Sequence, residues 1–96
     1  MNLSKLDDIT VQRELGTLAG WARKGNALVK TYGFPTFPLA ILFVNRVAQI
    51  AEQKDHHPDL DIRYTKVSVT LSTHSAGGIT ALDVELAREI EALSAG

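Results

Sequence analysis

Apolar residues between positions 37 and 54 recur every three or four residues, and this spacing predicts one long helix, Phe37–Lys54. Its main apolar stripe consists of Phe37, Ala40, Ile41, Val44, Val47, Ala48 and Ala51. A second apolar set, Leu39, Leu42, Phe43 and Ile50, widens the surface beyond a single face. Because so broad an apolar surface usually contacts more than the helix's own sheet, we expect this second set to pair subunits of an oligomer.

Two shorter helices are predicted near the two ends of the chain. Asp7 can cap a helix over residues 8–18, after which the chain turns at Ala19-Gly20. Thr80 can cap the last helix, with Asp83 at its third position in a capping-box-like arrangement. The buried stripe of the first helix would be Ile9, Val11, Leu15 and Leu18, and that of the last would be Leu82, Leu86, Ile90 and Leu93.

Four strands are predicted between these helices, over residues 21–24, 27–32, 61–64 and 66–72. Gly25-Asn26 is a two-residue hairpin signal between the first two strands. In the last strand Val67, Val69 and Leu71 alternate with small hydroxyl residues, which is typical of a half-buried antiparallel strand. The order α-β-β-α-β-β-α therefore predicts an α+β fold, a four-stranded antiparallel sheet with three helices packed on one face.

Composition narrows the class of protein. A length of 96 residues fits a single domain over residues 1–96, and a net charge of -1 gives no basic excess for direct nucleic-acid binding. The absence of cysteine excludes disulfides, thiolate metal sites and cysteine nucleophiles. The first residues do not resemble a signal peptide, and the longest apolar run, residues 38–44, is too short to span a bilayer. We therefore expect a cytoplasmic protein with no membrane partner.

The three histidines are the candidate acid–base groups, because imidazole titrates near neutrality. His56 and His57 follow the long helix, and Pro58 favours extended backbone, on which adjacent side chains point in opposite directions. Glu52 or Asp55 could orient one of the two imidazoles. From these residues alone, solvated polar loops and a metal site also stay open, although adjacent histidines rarely converge on one ion.

The combined motifs resemble those of the pterin-4a-carbinolamine dehydratases, over about residues 7–93. They are the segment AEQKDHHP at 51–58, then Tyr64, then LSTH at 71–74, then Asp83, with Gly20-Trp21, Phe34, Phe37 and RVA at 46–48. The resemblance implies a small α+β fold that forms dimers or tetramers and needs no metal or organic cofactor. It also implies dehydration of 4a-hydroxytetrahydrobiopterin, the product of aromatic amino-acid hydroxylases, to quinonoid dihydropterin. The animal relatives also serve as dimerisation cofactors of a homeodomain transcription factor.

The same resemblance assigns roles to individual residues. His56 and His74 would be the acid–base pair, while His57 would position the pterin with Glu52 as its orienting partner. The implied catalytic set is therefore Glu52, His56, His57 and His74. The implied pterin-binding set is Asp55, His56, His57, Ser72, Thr73, His74 and Ser75, with the segment 72–75 acting largely through backbone groups.

Two positions depart from the animal members of the family. Leu60 stands where those members have an aromatic residue, and Ser75 stands where they often have an acidic one. The alternative function is a non-catalytic binding module, such as a RuBisCO assembly factor or a partner of a regulator. A scaffold has no physical need for three histidines at these spacings, so the sequence favours the enzyme.

Overall fold

The computed structural model describes residues 3–95, and within them the predicted element order is confirmed. The helices are α1 (Asp8–Leu15), α2 (Phe37–Lys54) and α3 (Ala81–Ala95). The strands are β1 (Ala22–Lys24), β2 (Ala27–Gly33), β3 (Asp59–Arg63) and β4 (Lys66–Leu71), and a short 3-10 helix spans His74–Ala76. The strands form one antiparallel sheet in the order β1-β2-β4-β3.

One face of the sheet carries the core. Leu28 pairs with Leu71 and Tyr32 with Val67 across β2 and β4, so these buried side chains share a face. Helices α2 and α3 lie against this face, and Val11 of α1 joins the same apolar cluster. The other face carries the half-buried hydroxyl residues of β4, as the alternation in its sequence predicts.

Helix α1 is shorter than predicted because its last turn tightens. It ends at Leu15, and the N–H groups of Thr17 and Leu18 then bond to carbonyls only three residues earlier, at 3.0 and 3.1 Å. Leu18 is buried as predicted, but Ile9 is 69% exposed, so its place in the buried stripe was wrong. The predicted cap is present, since the Asp7 carboxylate accepts a 2.8 Å hydrogen bond from the Thr10 N–H.

The strand boundaries differ from the prediction mainly at β3. Asp59 already pairs with Thr70, so the strand begins two residues earlier than expected, and Tyr64 lies in the turn with a φ of 53°. The remaining differences are single residues: β1 begins at Ala22, β2 ends at Gly33 and β4 ends at Leu71. Trp21 is excluded from β1 because its N–H bonds to the Leu18 carbonyl in the preceding turn.

Helix α2 has the predicted bounds, but its broad apolar surface is divided differently. Phe43 was expected at a subunit contact, and this was wrong: it is 4% exposed and packs on Tyr32 and Phe34, at centroid distances of 4.8 and 5.0 Å. Leu39 and Leu42 stay 44% and 43% exposed. Periodicity could not separate the two groups, because apolar residues occupy most of the helix circumference.

Helix α3 buries a different stripe from the one predicted. Leu86 and Ile90 are buried as expected, whereas Leu82 and Leu93 are only half-buried. Val84 and Ala87 are buried in their place, together with the charged Asp83. The helix is therefore rotated by about one residue relative to the predicted stripe, because 3.6 residues make a turn.

A polar cluster joins α3 to the sheet at Glu91. Its Oε1 accepts hydrogen bonds from Lys30 Nζ at 2.6 Å, from the Tyr32 hydroxyl at 2.5 Å and from Trp21 Nε1 at 3.3 Å. Burial, followed by the contact with Glu91, raises the pKa of Tyr32. Burial also acts to raise the pKa of Glu91, but the hydrogen bonds from Lys30 and Tyr32 outweigh it and lower that pKa.

Replacement of Glu91 by glutamine should weaken the dependence of stability on acid pH. Because the pKa of Glu91 in the folded chain lies below its ordinary value of 4.5, its contribution to stability is full above about pH 4.5 and is lost as the pH falls through the folded value. Urea unfolding at pH 6 and pH 3.5 should therefore show a smaller difference for Glu91→Gln than for the native chain. Glu85→Gln, at an exposed position on the same helix, should keep the native difference. Equal differences in all three proteins would contradict the prediction.

Candidate active site

The end of α2 directs the first histidine toward α3. Asp55 adopts the left-handed conformation, with φ 50° and ψ 42°, which aspartate tolerates better than most residues. The N–H of His56 then bonds to the Ala51 carbonyl at 3.0 Å, and the N–H of Asp55 bonds to the Glu52 carbonyl at 3.2 Å. This pair of bonds is a Schellman motif, and it closes the helix one residue before the histidines.

His56 and His57 face different surroundings, which agrees with the extended-backbone argument. The ring of His56 is buried, with its Nε2 2.6 Å from Asp83 Oδ1. The ring of His57 is 59% exposed, with its Nε2 3.1 Å from Glu52 Oε2. Glu52 thus contacts the expected histidine, whereas the partner of His56 is Asp83 rather than Glu52 or Asp55.

Asp83 is fully buried and satisfied by several donors. In addition to the His56 contact, its Oδ2 accepts a 2.8 Å bond from the Thr73 hydroxyl and a 2.9 Å bond from the Thr80 N–H. A buried carboxylate is costly unless hydrogen bonds compensate for lost hydration, and the first turn of α3 adds the favourable end of the helix dipole. The contact between Asp83 and the Thr80 N–H also confirms the predicted capping-box-like arrangement.

The loop that carries His74 is closed by backbone hydrogen bonds. The Thr73 N–H bonds to the Gly78 carbonyl at 2.8 Å, and the Gly78 N–H bonds back to the Thr73 carbonyl at 3.2 Å. Between them lies the 3-10 helix, which ends at Gly77 with a φ of 78°. A backbone of this kind favours glycine, because side chains rarely adopt positive φ.

Within this loop the predicted binding residues differ in orientation. His74 and Ser75 are exposed, and the Ser72 hydroxyl donates a 2.9 Å bond to the Asn26 carbonyl in the hairpin between β1 and β2. Thr73 is 5% exposed, and its side chain is turned inward to Asp83. The hydroxyls of Ser72 and Thr73 are thus engaged within the protein, while the imidazole of His74 is presented outward.

Three separate segments of the sequence meet at Asp83: residues 55–58, residues 72–75 and residues 80–83. Tyr64, which belongs to the same sequence signature, is not part of this cluster. It lies in the β3–β4 turn, five positions along the strand from Asp59, or roughly 16 Å of extended chain. There it is 75% exposed and stacks on Phe37, with ring centroids 6.4 Å apart.

Sequence reasoning placed Asp83 in a helix cap but did not assign it to the site. A signal was present, since Asp83 precedes Leu86, Ala87 and Ile90 by three, four and seven positions, and all three are buried. A carboxylate on the buried stripe of a helix needs a polar partner from elsewhere in the fold. That requirement would have pointed to one of the histidines.

The arrangement supplies proton donors and acceptors rather than a metal cage. Among residues 3–95 no group of three or more histidine, aspartate or glutamate side chains is placed to hold a metal ion. None of the helices in that part of the chain has both the length and the hydrophobicity needed to cross a lipid bilayer.

Comparison with known proteins identifies the family. The model of the pterin 4 alpha carbinolamine dehydratase family matches residues 4–93, and the chain therefore belongs to that family. A chain from Thermomicrobium roseum, provisionally named a pterin-4-alpha-carbinolamine dehydratase, is 50% identical over 92 residues, which are 96% of this chain and 99% of that one. A chain of the same name from Sulfurisphaera tokodaii is 48% identical, over 95% of this chain and 98% of its own.

Two solved structures share the fold. One is described as a transcriptional coactivator/pterin dehydratase from Brucella melitensis; it has a TM-score of 0.92 and 34% identity, over 95% of this chain and 99% of its own. The other is a pterin dehydratase-like RuBisCO assembly factor of the alpha-carboxysome, with a TM-score of 0.64 and 23% identity, over 77% of this chain and 86% of its own. At that identity the second likeness concerns the fold alone.

Proposed function

We propose that this protein dehydrates a 4a-hydroxytetrahydropterin, giving quinonoid dihydropterin and water, without a metal or organic cofactor. The C4a–O bond breaks, the departing hydroxyl gains a proton, and N5 of the pterin loses one. The reaction is redox-neutral and needs one general acid and one general base. This step would return the pterin cofactor of aromatic amino-acid hydroxylases to use, and it suits a cytoplasmic protein.

The observation that supports this proposal is the contact network around Asp83. It links His56, through Asp83, to Thr73, the residue directly before His74. The two segments that carry these histidines are therefore joined by hydrogen bonds at Asp83. Family membership supports the substrate class, and the network supports His56, together with the nearby sequence position of His74, as the proton-transfer groups that the reaction requires.

The contacts favour different roles in proton transfer for His56 and His74. A carboxylate only accepts hydrogen bonds, so Nε2 of His56 carries the proton in the contact with Asp83, and Nδ1 is the nitrogen with a free lone pair. Asp83 would also stabilise the positive ring that forms when Nδ1 takes a proton. We therefore assign His56 as the base toward N5 and the exposed His74 as the acid toward the leaving hydroxyl.

The remaining predicted residues would bind and orient the pterin. His57 contacts Glu52 and is exposed to solvent. Asp55 and Ser75 are exposed as well, and the backbone of the segment 72–75 would meet the amide-like edge of the heterocycle. A positioned acid and base typically accelerate such a step by about 10²–10⁴-fold, which needs no covalent intermediate.

The deciding experiment mixes the purified protein with freshly prepared 4a-hydroxytetrahydropterin and follows the ultraviolet change of dehydration. Acceleration over the buffer rate that is proportional to protein concentration supports the proposal. If the native protein gives no acceleration, the dehydratase function is wrong. The second candidate, a non-catalytic interaction module, would then be favoured by the exposed leucines of α2.

We also propose that the chain forms a homodimer or homotetramer. Leu39 and Leu42 are each more than two-fifths exposed on the same stretch of α2. They border a concavity of about 160 Å³ that is also lined by Phe34, Arg46 and Leu93. Apolar side chains around a groove are suited to packing against a second copy of this surface.

Replacing both leucines by serine should weaken this association. Burial of a leucine side chain contributes roughly 1.5–3 kcal/mol, and a half-exposed leucine stands to gain about half of that, so replacing the pair should raise the dissociation constant about thirtyfold, or about 2 kcal/mol. Light scattering across micromolar concentrations measures the shift. Ile9→Ser changes an exposed apolar residue of α1 and should leave the mass unchanged. A native chain that is monomeric at these concentrations would contradict the oligomer.

A further inference from the structure

We propose that Thr73 is a positioning residue, which acts through Asp83 to fix the tautomer and orientation of His56. The inference rests on the proposed dehydratase function for its kinetic consequence, but its structural claim concerns only residues of this chain. Thr73 lies two residues beyond the end of β4, and its buried hydroxyl oxygen is 2.8 Å from two other oxygens.

Because each hydroxyl has a single proton, the donor and the acceptor in each of these contacts can be assigned. Thr73 has one hydroxyl proton, which it donates to Asp83 Oδ2, so the Thr80 hydroxyl must be the donor in the 2.8 Å contact between the two threonines. The Thr80 oxygen in turn accepts the Leu82 N–H at 3.3 Å. The hydrogen bonds therefore run in one direction, from the backbone of α3 through two hydroxyls to the carboxylate.

This chain of bonds determines which oxygen of Asp83 is available to the imidazole. Thr73 and the Thr80 N–H both occupy Oδ2, which leaves Oδ1 for His56 at 2.6 Å. With Oδ2 held from two sides, the carboxylate cannot rotate away, and Nε2 of His56 keeps the proton. Nδ1 is then the nitrogen that can take a proton from substrate.

Thr73 also connects the two halves of the site, namely the segment with His56 and the loop with His74. Thr73 is the anchor of the closed loop that carries His74, through its two backbone bonds to Gly78. Its hydroxyl ties that loop to Asp83, and hence to His56. A single residue thus sets the orientation of one histidine and the attachment of the other.

The test compares Thr73→Val, which keeps the shape but removes the hydroxyl, with Thr73→Ser, which keeps the hydroxyl. Nitrogen-15 NMR of the histidine rings in the ligand-free protein should show His56 protonated on Nε2 in the native chain and in Thr73→Ser. Thr73→Val should show a mixture of tautomers at His56, while the ring signals of His57 remain native.

In the dehydratase assay Thr73→Val should lower kcat about tenfold with little change in KM, as expected for loss of one hydrogen bond to a charged group. Thr73→Ser should restore most of that loss.

The control is Thr31→Val, which removes a hydroxyl from the 2.7 Å contact with Ser68 on the open face of the sheet. It should leave the His56 signals and kcat unchanged.

If Thr73→Val does not fold, Thr80→Val decides, because it removes the donor to Thr73 while keeping the backbone donor to Asp83. The His56 ring signals should then change in the same sense with smaller amplitude. A native His56 tautomer in the folded Thr73→Val protein, or in Thr80→Val where that substitute is needed, would overturn the inference. A native protein without dehydratase activity would remove the proposed function, yet the NMR comparison would still decide the role of Thr73.

Discussion

Asp83→Asn should lower kcat by about 10²-fold or more while the protein remains folded. The native carboxylate faces three donors: His56 Nε2, the Thr73 hydroxyl and the Thr80 N–H. Asparagine offers one acceptor oxygen and one amide that can only donate. If the amide faces His56, the ring must move its proton to Nδ1, which removes the proposed base. If the amide instead takes the place of Oδ2, the Thr73 hydroxyl and the Thr80 N–H lose their acceptor, and the cap of α3 is broken.

This substitution should also lower the free energy of unfolding by about 1–3 kcal/mol, because a buried donor loses its acceptor. Urea unfolding and the dehydratase assay on the same sample separate the two effects. Asp61→Asn is the matched control, since Asp61 is an exposed strand residue whose ion-pair contact at 3.2 Å is with Arg63, which is also exposed. Native kcat in a folded Asp83→Asn protein would show that His56 does not depend on this carboxylate.

His56→Gln and His74→Ala should each abolish most of the acceleration, by about 10²–10⁴-fold in kcat. Glutamine at position 56 can still donate a hydrogen bond to Asp83, so the variant tests proton transfer without leaving the buried carboxylate unpartnered. His74 is exposed, so its truncation should change stability little. The double variant should be scarcely slower than either single one, because groups that act as a unit in one transition state are not additive.

His57→Ala provides the comparison for this pair. Its ring is exposed and contacts an exposed glutamate, so its loss should raise KM more than it lowers kcat. Stopped-flow measurement of kcat and KM for all three single variants gives the pattern. Unchanged kcat in both His56→Gln and His74→Ala would show that the acid–base pair is wrongly assigned, even if the native protein is a dehydratase.

The long regular elements could be predicted from the sequence because their signals are local. The bounds of α2 follow from eighteen residues of helical periodicity, with Pro38 in the first turn and Pro58 four residues beyond the last helical residue. The hairpin at Gly25-Asn26 and the alternation of β4 are equally local. By contrast, the division of α2 into a buried Phe43 and an exposed Leu39 depends on which side of the helix meets the sheet.

The candidate site was predictable in part for the same reason. His56 and His57, which face different surroundings, are adjacent in the chain, and the contact of His57 with Glu52 joins residues only five positions apart. The partner of His56 lies 27 residues away, and no local spacing could reveal it. The inward turn of Thr73 was missed because a strand end next to a solvent-exposed loop gives no indication of which hydroxyl is buried.

The 27-residue separation between His56 and Asp83 has a consequence for how the site comes into existence. The end of α2, the loop after β4 and the first turn of α3 must all be in place before the imidazole acquires its partner. Since α3 follows both histidine-bearing segments in the sequence, a ribosome-bound or truncated polypeptide that lacks α3 would hold the histidines without organising them. Turnover in the proposed dehydratase reaction would then report complete folding more stringently than the helical content of the chain.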